Sequence, residues 1–488
     1  MVELRWGIGP CPISPGLSDA GWFRSRGLAE PHSASGSVER MNSTTSSSAH
    51  SVIGPAQAVD RFAAARAWFW GVQGYVMMAV ACTSFFPLLF RYQEHTVIVL
   101  IVLCLAMCGV EKVNPWVKSP LDLPLWLFIV WVLCTVPFAT DSAYSFAEWK
   151  KFVAQAGVFY WALLVLSRSG NDRLPRLVLQ ALVLGASLMA CYALIEFVQR
   201  GGTWRDRYVR AHAFGSDYNW LSTYMVVAIP VAGSLLVMGR QAWTRVSQAL
   251  ALGLTGAAQL FSYTRGGWLG HAAQGVTLAL LVGGRRMAFG VLGMLALIGA
   301  GLMAAAHSGF QTDTVDAKTV DTRLMVWTIG LTEVAAHPVT GIGFGNNSFV
   351  KKFPEYSVAK QDHLPERERI IPAMHNTFLM VTLGSGIPAL LSFTWIFIAL
   401  LRRLIPLPWT IGRDRTTAVI AAGIGLAVIG FAVRNLFDYM FMGSLAHLYW
   451  LLAAVGIMVT GSHRSDAVPG EPRRAHEQAG TFARPFEP

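Results

Sequence analysis

The chain has 488 residues, of which 53% are hydrophobic and only 14% charged, and its mean hydropathy is +0.45. That balance excludes a soluble globular domain and puts the chain in the membrane class. A formal net charge of +11 would suggest nucleic acid in a soluble protein. Here Lys and Arg lie mostly in short segments between apolar runs, where they set topology, so no nucleic-acid partner is expected.

Residues 1–60 contain Pro, Gly and the run Asn42-Ser43-Thr44-Thr45-Ser46-Ser47-Ser48 without a signal-peptide pattern. They read as a disordered cytoplasmic N-terminus, with Met41 a second candidate start. Apolar runs of about 17 to 25 residues come next, the length that crosses roughly 30 Å of hydrocarbon at 1.5 Å per helical residue. Helices are the expected spanning form, because backbone amides in lipid must be satisfied within the segment. Twelve transmembrane helices are expected at about 68–90, 96–110, 122–140, 151–167, 177–198, 219–238, 246–263, 266–283, 287–306, 376–401, 416–433 and 441–461. The fold class is thus an all-α polytopic membrane protein, with nine helices in 65–306, a large periplasmic loop at 307–375, three helices in 376–461 and a disordered cytoplasmic tail at 462–488. The seventh and eighth runs also admit a re-entrant pair. Five of the six cysteines (Cys82, Cys104, Cys108, Cys134 and Cys191, but not Cys11) fall inside spans, and no disulfide or zinc spacing appears.

With both termini cytoplasmic, every inside loop is basic: Lys112 and Lys118; Arg168, Arg173 and Arg176; Arg240 and Arg245; Arg285 and Arg286; Arg402, Arg403, Arg413 and Arg415. Cations in the outside loops oppose that rule and need another reason. They are Lys150 and Lys151; Arg200, Arg205, Arg207 and Arg210; Arg265 in Tyr263-Thr264-Arg265-Gly266-Gly267-Trp268; and Arg434 beside Asp438. Each singly is open to snorkelling or a local ion pair. Together they suit an anion at the membrane boundary, such as a pyrophosphate, because guanidinium forks bind phosphate oxygens bidentately.

Residues 307–375 are the long extracytoplasmic segment. Asp321 to Ala336 has apolar residues at helical spacing and is expected to form an interfacial amphipathic helix. His337-Pro338 ends it, and the Gly-rich turn Gly341-Ile342-Gly343-Phe344-Gly345 comes after. No strand precedes those glycines and no Lys-Ser/Thr completes a P-loop, which argues against a nucleotide cradle. A tight turn that lets backbone approach a ligand or a helix, and a plain helix stop, both remain open. His375 stands with Asn376 at the mouth of the tenth span. A structural histidine and a general base that takes a proton from a sugar hydroxyl both fit that position. His337 is a second candidate, although its His-Pro context suits capping. The outside carboxylates Asp141, Glu148, Asp217, Asp321 and Asp438 are scattered, so no metal site or other cofactor is expected. Charge on a departing diphosphate must then be met by side chains.

Over roughly residues 65–460 these features resemble the O-antigen ligase and polymerase superfamily of bacterial cell-surface polysaccharide assembly. The resemblance is carried by the large late loop, by His337-Pro338-Val339-Thr340-Gly341-Ile342-Gly343-Phe344-Gly345-Asn346, and by His375-Asn376 followed nine residues later by Gly386-Ile387-Pro388. Ala389 stands where the ligase pattern has a second Gly, and is small enough for close helix packing. The resemblance implies a fold related to C-type membrane glycosyltransferases. It implies transfer of polysaccharide from an undecaprenyl-diphosphate-linked O-antigen donor to lipid A core, without ATP or metal, on the periplasmic face of the inner membrane among its lipids. The family's essential histidine falls on His375. Its diphosphate-binding arginines fall on Arg265 and Arg210, with Arg323 and Arg434 as further assignments, and His337, Gly341, Gly343, Gly345 and Asn376 form a candidate loop site. O-antigen polymerases and pilin-type protein O-oligosaccharyltransferases share this histidine and arginine logic and differ in the acceptor. A lipid or sugar transporter also fits twelve spans, but no internal repeat is visible and the distinctive polar residues gather at one face.

Overall fold

In a computed structural model the described residues are 55–203, 209–214, 217–307, 317–356, 374–405 and 415–461. The chain divides into Met1–Ala58 and Val59–Pro488. Of the first unit only residues 55–58, the start of a helix, are described; the remaining helices all belong to the second. Residues 1–54 of the expected disordered N-terminus, the tail at 462–488, residues 357–369, Arg205 and Arg207 lie outside the described residues, while residues 55–60 are helical, as the first turns of α1.

The described chain is helical: α1 (Pro55–Thr83), α2 (Phe90–Glu111), α3 (Asp122–Thr135), α4 (Ser142–Arg168), α5 (Leu174–Gln199), α6 (Tyr218–Met238), α7 (Ala242–Phe261), α8 (Arg265–His307), α9 (Ala317–Ala336), α10 (Ser348–Lys352), α11 (Thr377–Leu404), α12 (Arg415–Asn435) and α13 (Gly443–Gly461). It is an all-α polytopic membrane protein. Among the described residues, seven helical stretches are long and apolar enough to cross a membrane, on α2, α5, α6, α8, α11, α12 and α13. The other expected spans fall on shorter or more polar helices; α3 with its following 3-10 turn reaches only Asp122–Phe138, and α4 carries Glu148, Lys150 and Lys151 in its first half. The expected eighth and ninth spans form one element, α8, broken at Gly284, whose φ of 68° and ψ of −163° no helix residue holds. Arg285 and Arg286 come directly after that break.

Two helices form the centre. α12 packs against α6, α8, α11 and α13, while α13 packs against α4 and α12. Within α13, 89% of the apolar window is covered by protein, so it is the innermost spanning helix. Small residues set these close crossings: a side chain at Gly430 would collide with the Gln274 amide, and one at Gly270 would approach the Gly430 carbonyl at 3.2 Å. Gln274, buried in α8, donates to the Val226 carbonyl of α6 (2.8 Å), which satisfies its amide where lipid could not. Below the ends of α11 and α13 lies an aromatic layer in which Phe393, Phe397, Phe441, Tyr449 and Trp450 meet at centroid distances of 5.0–6.1 Å.

The Gly-rich turn is inserted into α11. That helix is interrupted at Ser385 (φ −142°, ψ 18°) and Gly386 (φ 79°, ψ 179°), ahead of Pro388, which has no amide hydrogen to continue the ladder. Carbonyls freed there are taken up by the turn: the amides of Ile342 and Gly343 donate to Leu383 and Gly384 (both 2.9 Å), and the Ile387 amide donates to Pro338 (2.8 Å). Trp131 and Thr135 of α3 close the other side, on the Ser385 carbonyl (2.9 Å) and hydroxyl (3.0 Å). Phe344 then drops between Phe128 and Phe152, with centroids 6.0 and 6.2 Å away. The turn therefore approaches a helix, with the Ile342 and Gly343 amides already engaged.

Candidate active site

His375 occupies the two-residue link between Met374 and the start of α11. Asn376 caps the helix, accepting from the Leu379 amide (2.9 Å), and the chain enters with His375 at φ 46°. Few non-glycine residues hold that left-handed conformation, which costs on the order of 1 kcal/mol or more, so the surroundings must impose it. Trp327 of α9 does so from one side, its indole donating to the Met374 carbonyl (2.6 Å). From the other, Thr377 donates to Asn435 Oδ1 (2.5 Å), with the Asp438 carbonyl 3.2 Å away.

These clamps turn the imidazole toward Asp438, with Nδ1 3.3 Å from Oδ1. The same carboxylate accepts from the Tyr439 amide (3.0 Å), and its Oδ2 lies 3.4 Å from Arg434 Nη2. Burial by itself would raise the Asp438 carboxyl. The hydrogen bond with His375, the Arg434 and His375 charges and the Tyr439 amide outweigh it and hold the group below its ordinary value. Arg434, 2% exposed at the end of α12, also reaches Asn219 Oδ1 at 2.9 Å. A charge this deep is tolerable only with such partners.

The remaining predicted arginines gather around this pair. Gly266 leaves the space that Arg434 fills, since a side chain there would stand 2.7 Å from Nη1. Arg265, the first residue of α8, is the exposed neighbour of that glycine. Thr264 Oγ1 lies 3.5 Å from the Tyr218 carbonyl, and Arg210 lies over the Tyr218 ring at 4.4 Å. The Ala211 amide bonds the Phe261 carbonyl (2.9 Å), pinning this segment to the end of α7. Arg323, at the start of α9, acts electrostatically on Arg434, and its Nε is buried without a partner. Among the described residues, none of Arg210, Arg265 and Arg323 is paired with a carboxylate. Arg434 is thus joined to His375 through Asp438, and the segments that carry Arg210, Arg265 and Arg323 adjoin Arg434 or its partner Asn219.

His337 and the glycines lie elsewhere. His337 directly follows α9, its Nε2 3.8 Å from Glu333 one turn back, and among the described residues none of its contacts is with the His375 cluster. Gly341 faces α11, where a side chain would lie 2.5 Å from Leu383 O, and Gly343 and Gly345 face Ser145 and Glu148 of α4. These residues shape the wall around the centre. In the sequence Asp438 is one of several scattered carboxylates, and Asn219, Thr377, Asn435 and Trp327 do not stand out at all. The one available signal is the Arg434/Asp438 spacing of four residues.

A second polar cluster adjoins the first where the start of α4 meets the turn. Lys351 binds Asp141 (2.6 Å) and lies over the Tyr144 ring (5.1 Å), while the Tyr144 hydroxyl accepts from the Asn347 amide (2.9 Å). The bond from Lys351, followed by the Tyr144 amide, lowers the Asp141 carboxyl. Burial, then Glu148 and Tyr144, push the Tyr439 hydroxyl up.

Fold and site together define a polytopic membrane protein with a histidine-carboxylate-arginine relay at the mouth of one helix. Residues 250–394 match the family model described as O-antigen ligase, which supports the O-antigen ligase superfamily for this chain. The match covers Arg265, Arg323, His375 and the Gly-rich turn; Arg210, Arg434 and Asp438 lie outside it. Its function is of the O-antigen ligase and polymerase type, a membrane glycosyltransferase-like ligase activity, with lipid-linked polysaccharide and lipid A core as the general substrate classes of that family. No curated protein matches the chain.

Proposed function

We propose that this protein is an O-antigen ligase that moves polysaccharide from undecaprenyl diphosphate to a sugar hydroxyl of lipid A core at the periplasmic side of the inner membrane. The observation that carries the reading is the chain His375–Asp438–Arg434, with the segment of Arg265 packed on Arg434. Asp438 accepts the Nδ1 proton, which fixes the ring and leaves the Nε2 lone pair to take a proton from the acceptor hydroxyl. The resulting alkoxide attacks the anomeric carbon; the bond from that carbon to the diphosphate oxygen breaks, and the diphosphate leaves with its electron pair. Direct displacement inverts the anomeric centre. Arg210, Arg265 and Arg323, free of carboxylate partners among the described residues, meet the charge that develops on the leaving group. Arg434 is too deeply buried for that task alone and instead holds Asp438 in place.

The test uses purified protein with lipid-linked glycan and, separately, lipid A core, a second lipid-linked glycan or pilin. Transfer to lipid A core by the wild-type chain and its loss in His375→Ala, with lipid-linked precursor and protein level intact in cells, is the expected result. Full activity in that variant overturns the role of His375. Preference for the second glycan or for pilin reassigns the acceptor.

A further inference from the structure

The walls on the two sides of Asp438 differ in how their charges are partnered. On the side of α6, α8 and α9 the arginines stand without carboxylates. On the side of α4 each carboxylate already has a lysine, Asp141 with Lys351 and Glu148 Oε1 with Lys151, which is 2.6 Å away and more than half exposed, while Lys150 lies over the Phe146 ring. The two walls belong to different packing neighbours, α4 lying against α13 and α3 while α6 and α8 lie against α12.

The α4 wall is rich in unspent hydrogen-bonding groups. Glu148 retains its second oxygen, and its Cγ is the atom that a side chain at Gly345 would meet at 2.6 Å. Among the described residues the Tyr439 hydroxyl has no hydrogen-bond partner. Ser145 Oγ, Ser348 Oγ and Asn346 Oδ1, from the helix and the turn, are buried without one. One turn below Glu148, Phe152 stacks on Phe441 at 6.2 Å, which sets Tyr439 and Glu148 on the same side of the α4–α13 crossing. Tyr439 is the residue after Asp438, so this wall begins one residue from the carboxylate that holds His375. Carboxylate, phenol and amide groups on an aromatic base fit the hydroxyls and apolar face of an uncharged sugar ring.

We infer that Glu148, Tyr439 and Asn346, with the Tyr144 ring beside them, form a subsite for an uncharged sugar of the acceptor, separate from the arginine wall, and that it presents one hydroxyl to His375. This deepens the glycosyl-transfer reading and rests on it.

The experiment uses the full chain in lipid nanodiscs, with methyl β-glucoside as the sugar probe and inorganic pyrophosphate as the anion. Saturation-transfer NMR should show the glucoside bound to wild type and not displaced by pyrophosphate. Glu148→Gln and Tyr439→Phe should each weaken the glucoside about tenfold, the size of one lost charge-assisted bond, while binding pyrophosphate as wild type does. That second property also shows the variants to be folded. No saturation in wild type, wild-type glucoside affinity in both variants, or competition by pyrophosphate each overturns the subsite. Glucoside results as expected with no pyrophosphate binding at all would leave the subsite standing and remove the diphosphate role of the arginines.

Discussion

Replacing Asp438 with Asn keeps the shape of the side chain and removes its charge, which separates what the carboxylate does from the space it fills. In the native site Asp438 lies 3.3 Å from His375 and 3.4 Å from Arg434, a guanidinium that is 2% exposed. At an effective dielectric of about 20 the Arg434 attraction alone is roughly 5 kcal/mol before desolvation, and breaking a buried pair costs about 3–5 kcal/mol. Because Arg434 keeps Asn219 Oδ1 at 2.9 Å, a stability loss of about 2–3 kcal/mol is expected. His375 loses the acceptor that orients it, and kcat should fall about 100-fold, near 2.7 kcal/mol of barrier. Stability and turnover are read by thermal unfolding in detergent and by glycan transfer at saturating substrates. The pH dependence supplies an independent check. Asp438 is held below its ordinary 3.8, so its stabilisation is complete above that unfolded value and is lost as pH falls through the lower folded one. The Tm gap between wild type and Asp438→Asn should therefore be steady from about pH 5 to 8 and close below about pH 4. Wild-type kcat in the variant, or a gap that persists in acid, would refute the coupling of His375 to Arg434 through this carboxylate.

Arg265→Ala and Arg210→Ala should each raise donor KM about tenfold, the loss of a phosphate contact, with acceptor KM moving less than about twofold. Equal shifts for both substrates, in initial-rate measurements with each varied in turn, would count against a diphosphate role. Gly386→Ala tests the interlock between turn and helix. Its φ is +79° and the new carbon would collide with the Val339 carbonyl. Strain of about 1–3 kcal/mol plus displacement of the turn should lower Tm and speed proteolysis of the late loop; an unchanged digestion pattern would show that the turn is held by other contacts.

The helices are legible in the sequence because each spanning element must bury a long apolar run, and the position of His375 at a helix mouth comes from where one such run begins. Arg434 and Asp438 can be read as neighbours on consecutive turns. That Asp438 serves His375 cannot, because 63 residues separate them and nothing in local periodicity reports a contact made by folding. The Gly-rich turn reads as a backbone approach with no partner specified. Its partner is a break in α11 about 40 residues later, matched through main-chain amides that carry no residue signature. Arg210, Arg265 and Arg434 stand out as violations of the charge rule for outside loops, a pattern that flags each one without saying which of them reaches Asp438.

The insertion of the turn into α11 makes the first two turns of that helix, about 12 Å from Asn376 to Gly384, common property of the loop and the membrane core. Trp327 grips one end of this stretch and the 338–343 backbone the other. Chimeras that exchange the loop between relatives while keeping the host's α11 would cut across that joint and leave main-chain carbonyls of the break without their donors. The transplantable unit runs from α9 past Pro388, and acceptor preference should travel with it only when Glu148 and Tyr439 are carried over as well.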